Sequence, residues 1–205
     1  ESLNESDIIG HFEANASRLR TLLDAAAREH AVASSFAVVR GQPTLAALSI
    51  EDRDLLVIEA AARPFAGQFQ LASRWLAAAL EAHRPVLLVR NRGRTDGVMA
   101  LVQAKVPSTQ RTISAATGLA QAGNRKLTIR ILGEAASVDE VRAWVTKIDP
   151  RLGVHCRIEN VSRRGTFFED GEGSIVVVDA DSAVNDQASL RDLAMHSRAD
   201  ILFVE

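Results

Sequence analysis

The chain holds a single cysteine, Cys156, and no tyrosine, and aromatic residues make up only 4% of its 205 positions. One thiol excludes an intrachain disulfide framework and suits a reducing compartment, so a cytoplasmic location is expected. No apolar run reaches the roughly 18 residues that a membrane span needs. The opening residues, Glu1 to Asp7, lack the basic and apolar regions of a signal peptide. Neither sign of charge dominates, with 24 Lys and Arg against 26 Asp and Glu. No overall field therefore draws the protein to phosphate backbones or anionic lipid, and nucleic acid is not an expected partner. The histidines, His11, His30, His83, His155 and His196, show no metal-ligand spacing, so no metal is expected. The chain does not begin with Met, which leads us to expect a processed or excised product.

What is present is a repeated design. Asp54-Leu-Leu-Val-Ile-Glu59 leads through a loop and an alanine-rich helix to Pro85-Val-Leu-Leu-Val-Arg90, and Ser174-Ile-Val-Val-Val-Asp179 leads through another to Asp200-Ile-Leu-Phe-Val-Glu205. The chain thus reads as two related α/β units. Hydrophobic content of 47% over this length is enough for one large core or two small ones.

Apolar residues at Ile8, Ile9, Phe12, Ala16, Leu19, Leu22, Leu23 and Ala26 recur at spacings of three and four, which predicts an amphipathic helix from Asp7 to Glu29. A short strand at Phe36 to Val39, a helix around Thr44 to Ser49, a strand at Asp54 to Glu59, a helix at Phe69 to Ala82 and a strand at Val86 to Val89 follow. The polar, glycine-bearing connector from Asn91 to Gly97 separates two strands without a helix, so the boundary between units falls there. The second unit then alternates: strand Val98–Gln103, helix Ser108–Gln121, strand Leu127–Leu132, helix Val138–Ile148, strands Val154–Val161 and Ser174–Asp179, helix Gln187–Ser197 and strand Asp200–Glu205. Such alternation predicts a parallel sheet covered on both faces. In Val154–Val161 apolar and charged residues alternate, as expected of an edge strand with one wet face. The stretch from Ser162 to Gly173, with Arg163, Arg164, Phe167 and Phe168, has no period and reads as a loop that buries its aromatics or offers them to a partner.

This order of elements resembles the universal stress protein family, whose domain is a five-stranded parallel α/β unit often found in tandem. The resemblance covers nearly the whole chain by pattern. It implies tandem open parallel sheets of the adenine-nucleotide alpha-hydrolase-like type, with a partial unit at 1–93 and a complete one at 97–205. ATP-binding members of the family carry Gly-x2-Gly-x9-Gly-Ser/Thr after the fourth strand, where backbone amides approach the phosphates because no Cβ intervenes. The corresponding positions of the first unit are Glu59, Ala62, Ala72 and Ser73. The spacing is kept and the glycines are not, and Glu59 would repel a polyphosphate. In the second unit Asp179 and Ser182 stand at the first two glycines and Asp192-Leu193 at the final pair. Gln103 stands where members have an aspartate near the nucleotide, and Lys105 where a serine is common. The resemblance thus implies the fold and argues against the nucleotide.

Residue by residue, Glu59 and Asp179 end strands at the face where open α/β sheets take ligands, although such carboxylates also serve as helix caps. Arg63, beside Gly67 and its loop, offers a cation to an anion, and Ser108 with Thr109 either caps the next helix or holds an anion on its amides. Cys156 reads as a buried small hydrophobe, with His155 on the opposite side of its strand. The expectation is a non-catalytic stress-response or regulatory protein without a cofactor, acting through a homodimer or another protein partner, with an edge strand as the natural place for self-association. Two alternatives stand beside it. One is a module that still binds ATP or another anion, using Arg63, Gly67 and Ser73 in the first unit and Gln103, Lys105 and Ser108 in the second, with Glu59 and Asp179 left to a polar or cationic ligand. The other is a hydrolase with a site between the units.

Overall fold

A computed structural model describes residues 5–38, 54–59, 84–90, 96–103, 106–132, 138–161, 174–180 and 199–204. The chain divides into two compact units, Glu1–Pro43 and Thr44–Glu205.

The first unit is built on helix α1, Glu5–Glu29, where the three-four spacing of apolar residues predicts it. Its end is a Schellman motif: the Val32 N–H donates to Ala27 O at 2.9 Å and the Ala31 N–H to Arg28 O at 3.4 Å, while Ala31 takes φ 52°. The strand expected at Phe36–Val39 does not form over its described part, Phe36 to Val38. β-propensity alone makes no strand, because a strand exists only where a neighbour completes its hydrogen bonds.

The second unit is an open sheet of seven strands: β1 (Leu56–Glu59), β2 (Val86–Val89), β3 (Gly97–Gln103), β4 (Lys126–Leu132), β5 (Arg157–Val161), β6 (Ser174–Asp179) and β7 (Asp200–Val204), in the order β1-β2-β7-β6-β3-β4-β5. Every pairing is parallel except β2 with β7. Helix α2, Val106–Gly123, follows β3, and α3, Val138–Ile148, follows β4. The α/β class and the open sheet expected from the alternation hold.

The two repeated segments of the sequence meet at the antiparallel pair. Parallel pair β1-β2 lies back to back with parallel pair β7-β6, and Leu87 faces Leu202 with Val86 opposite Phe203 and Leu88 opposite Ile201. In the sequence repeat Leu87 and Leu202 hold the same position, as do Val86 and Ile201, and Leu88 and Phe203. The seam therefore has a local twofold character centred on Leu87 and Leu202. The predicted strands at Val86–Val89, Leu127–Leu132 and Ser174–Asp179 are found within a residue. The predicted helices Phe69–Ala82 and Gln187–Ser197 and the segment Ser162–Gly173 lie outside the described residues.

Strand and helix faces interlock in one core. Val98, Ala100 and Val102 of β3, Leu127, Ile129 and Ile131 of β4, and Val177 of β6 bury against Ile113, Ala116 and Ala120 of α2 and Val141 and Val145 of α3. The opposite side of the sheet is also dry: Met99, Val176, Ile201, Phe203, Val86 and Leu88 are all buried. This explains why these strands are continuous apolar runs.

One expected element is divided. The run from Val154 to Val161 is split between helix α4, Pro150–His155, and β5. Asp149 caps α4, its carboxylate accepting from the Arg151 and Leu152 N–H groups at 2.8 and 3.3 Å, and Pro150 opens the helix. The alternation that suggested a strand is real only from Arg157 onward. His155 and Cys156 consequently sit at a helix end rather than on opposite sides of a strand, and the Cys156 N–H donates to Leu152 O at 2.7 Å. The expectation that this strand lies at an edge holds, since β5 ends the sheet.

Candidate functional site

Within β3 to β7 the order is β7-β6-β3-β4-β5, so the chain reverses its direction of winding between β3 and β6. In open α/β sheets the crevice for ligands lies beyond the carboxyl ends of the strands at such a reversal. Gln103 ends β3 there and Asp179 ends β6. Asp179 is 7% exposed. It lies two residues beyond Val177, which packs in the core with α2, so its side chain leaves the sheet on the side that α2 covers. Helix α2 begins at Val106, which places Ser108 and Thr109 inside its first turn. They do not occupy the cap position the sequence suggested for them. Lys105 lies outside the described residues.

Glu59 is on the edge strand β1, at the opposite end of the strands. It ends β1 opposite Val89 of β2, and β2 runs antiparallel to β7, so its neighbours are the last residues of β2 and the first of β7. Asp179 lies opposite Val204, the last residue of β7. The predicted carboxylates thus face away from each other across the length of the strands and cannot form one acid–base pair. Glu59 is exposed and Asp179 is buried. Arg63, Gly67 and Ser73 lie outside the described residues.

Three charged residues emerge that the sequence reading passed over. At the seam the Arg90 N–H donates to Asp200 Oδ1 at 2.6 Å, and Asp200 is 7% exposed. Burial pushes the Arg90 guanidinium below its ordinary value, and the Asp200 carboxylate opposes that shift. Each lies just outside an apolar run, Arg90 after β2 and Asp200 at the head of β7, but only the antiparallel pairing brings them together. On β4, Arg130 is buried and reaches Glu159 of β5 at 3.4 Å, and Arg157 also pairs with Glu159. A charge inside the run Leu-Thr-Ile-Arg-Ile was the available signal for it.

Cys156 is a buried free thiol. Burial raises its thiol pKa, with Arg142 and a backbone hydrogen bond opposing; Arg142 Nη1 donates to Gly153 O at 2.9 Å and, at 4.0 Å, to the sulfur, which itself donates to Gly153 O at 3.7 Å. Among the described residues, no group of three or more His, Cys, Asp or Glu could hold a metal ion, and no helix is long and apolar enough to cross a membrane.

No protein-family model matches the sequence, and no curated protein matches it. Among solved structures, a universal stress protein from Archaeoglobus fulgidus DSM 4304 is similar in fold, with a TM-score of 0.62 over 99% of this chain and 80% of that one. Their sequences are 11% identical. The likeness is one of fold. It covers α1 as well as the sheet, and it agrees with the element order from which the family resemblance was read. It leaves the chemistry at Asp179 and Glu59 to this chain's own residues.

Proposed function

We propose that this chain is a non-catalytic regulatory protein of universal-stress-protein type, with a partial unit at 1–93 and a complete one at 97–205, that acts through protein contacts and no longer takes ATP. The observation that carries this reading is Asp179, 7% exposed at the end of β6, at the strand-order reversal and on the side covered by α2. By the family resemblance it stands at the first glycine of the phosphate loop. A carboxylate there removes the close backbone approach that glycine allows. It also sets a negative charge against a phosphate, a repulsion of about 4 kcal/mol at roughly 4 Å for an effective dielectric near 20. On the edge strand β1 Glu59 stands at the equivalent position of the partial unit. A stress-response role follows from the same resemblance.

The direct test is thermal unfolding with ATP present. A ligand at one hundred times its Kd would stabilise the native state by about 2.7 kcal/mol, which is readily seen as a rise in Tm. No rise is expected at millimolar ATP. A saturable rise would overturn the loss of nucleotide binding and favour a module that keeps altered ATP binding. Replacing Glu59 and Ala62 together by glycine should recover affinity if the retained spacing is a phosphate loop without its glycines. Failure of the double variant to bind would mean that more than these side chains was lost.

A further inference from the structure

Helix α1 presents an apolar stripe to solvent: Phe12 is 69% exposed, Leu22 59%, Leu19 45%, Ile9 39% and Leu23 37%. The stripe follows a heptad. Ile9, Ala16 and Leu23 recur every seventh residue, as do Phe12, Leu19 and Ala26, and the two sets alternate at spacings of three and four. Glu13, Arg20 and Ala27 flank the stripe on one side, and Asn15, Leu22 and Glu29 on the other.

Two copies of this helix fit together in one direction better than in the other. Side by side in parallel, each residue would meet itself, stacking Ala16 on Ala16 and Phe12 on Phe12, with Glu13 beside Ile8 and Arg20 beside Asn15. Such an arrangement pairs no opposite charges across the stripe. In the antiparallel arrangement with full overlap, Phe12 meets Leu23, Ala16 meets Leu19 and Ile9 meets Ala26. A small residue then faces a larger one in most layers, as close packing prefers. In the same register Glu13 of one copy lies beside Arg20 of the other, and the twofold repeats this pair. Arg20 is drawn toward Asp24 of its own helix at 4.0 Å, but both side chains are largely solvent-exposed and that contact is weak.

We propose that the protein is a homodimer formed by antiparallel packing of α1 against α1 of a second copy, in the register that sets Glu13 beside Arg20. The proposal gives the protein contacts of the preceding reading a surface and a partner, and it rests on that reading only in this respect. The overlap from Ile9 to Ala26 spans about 26 Å of helix at 1.5 Å per residue. Association of two copies follows mass action, so the dimer is expected to grow with protein concentration.

Sedimentation equilibrium of the full 205-residue chain tests it. A dimer is expected for the unaltered protein and a monomer for Leu19→Asp, with the unfolding of the sheet unchanged. Glu13→Arg or Arg20→Glu alone should weaken the dimer by several-fold, and the double variant should restore it. Parallel packing, which places neither residue beside an opposite charge, would show no such rescue and would overturn the register. A monomer at all concentrations would overturn the dimer itself. A dimer that survives Leu19→Asp would place the contact elsewhere, such as the β5 edge, and would sink this proposal while leaving the wider reading of protein contacts intact. Neither result bears on the ATP titration.

Discussion

Helix α1 leaves Phe12 and Leu22 more than half exposed, whereas α2 buries Ile113, Ala116 and Ala120 completely. Both helices carry apolar residues at three-four spacing, and both end in the same hydrogen-bonded turn. In α2 the Arg125 N–H donates to Ala120 O at 2.8 Å and the Asn124 N–H to Gln121 O at 3.2 Å, with Asn124 at φ 47°. The difference lies outside the helices. Helix α2 follows β3 after two residues and packs against β3 and β6, so its stripe is covered by the sheet it belongs to. Helix α1 belongs to a separate compact unit. Periodicity says which face of a helix is apolar, and topology decides what covers it.

The largest expected effect separates the two helices directly. Ile113→Ala removes a fully buried side chain between α2 and the sheet and should cost about 3 kcal/mol, through lost transfer energy and the cavity left behind. Leu19→Ala on α1, at a position 45% exposed, should leave urea unfolding of the sheet within about 0.5 kcal/mol, while its effect appears in the concentration dependence of association. Equal losses of stability for the two variants would show that α1 is as buried as α2 and would erase the contrast.

The same distinction governs how much could be read from the sequence. Buried strands such as Val98–Gln103 and Ser174–Asp179 announced themselves as continuous apolar runs, because both of their faces are dry. The repeat was legible for the same reason, and with it the kinship of β1-β2 and β6-β7. Their arrangement was not: no residue in Val86–Val89 or Asp200–Val204 states that the two strands run antiparallel, so the seam at Leu87 and Leu202 and the Arg90–Asp200 contact it creates were invisible. Val154 and His155 were misplaced because alternation in β5 continues by chance into the helix before it, although Asp149-Pro150 was a start signal in plain view. Of the candidate site, the strand-end positions of Gln103 and Asp179 were legible. That Glu59 and Asp179 lie at opposite ends of the strands required the seam.

A smaller effect is expected within α2. Thr117 is fully buried, and its Oγ1 has no hydrogen-bond partner among the described residues. A threonine within a helix commonly bonds back to a carbonyl one turn earlier, and here that relief is absent. Thr117→Val keeps the branched shape and removes the unsatisfied hydroxyl, so it should stabilise the protein by about 1 kcal/mol. The same change on α1, Thr21→Val, should be neutral or slightly destabilising in monomer unfolding, since the Thr21 hydroxyl is exposed and donates to Ser17 O at 3.0 Å. Thermal melts of the two variants make the comparison, and a destabilised Thr117→Val would mean that its hydroxyl is satisfied in solution.

The smallest effect concerns the matched helix ends, and it tests whether α1 is stable in its own right. Both turns need a residue in the left-handed region, which an L side chain adopts at a cost and glycine adopts freely. Helix α2 fills the position with asparagine, among the best tolerated after glycine. Helix α1 fills it with Ala31, which has neither glycine's freedom nor a side chain able to bond locally. Ala31→Gly should therefore stabilise the end of α1 by up to about 1 kcal/mol, less the extra freedom glycine gives the unfolded chain, and Asn124→Gly should change α2 by only a few tenths. Amide exchange in the last turn of each helix reads the two changes separately: protection at His30 to Val32 should rise in the first variant, while that at Asn124 and Arg125 hardly moves in the second. If protection at the end of α1 falls instead, the turn at Ala31 is not held in the left-handed conformation in solution, and α1 frays where α2, anchored on the sheet, does not.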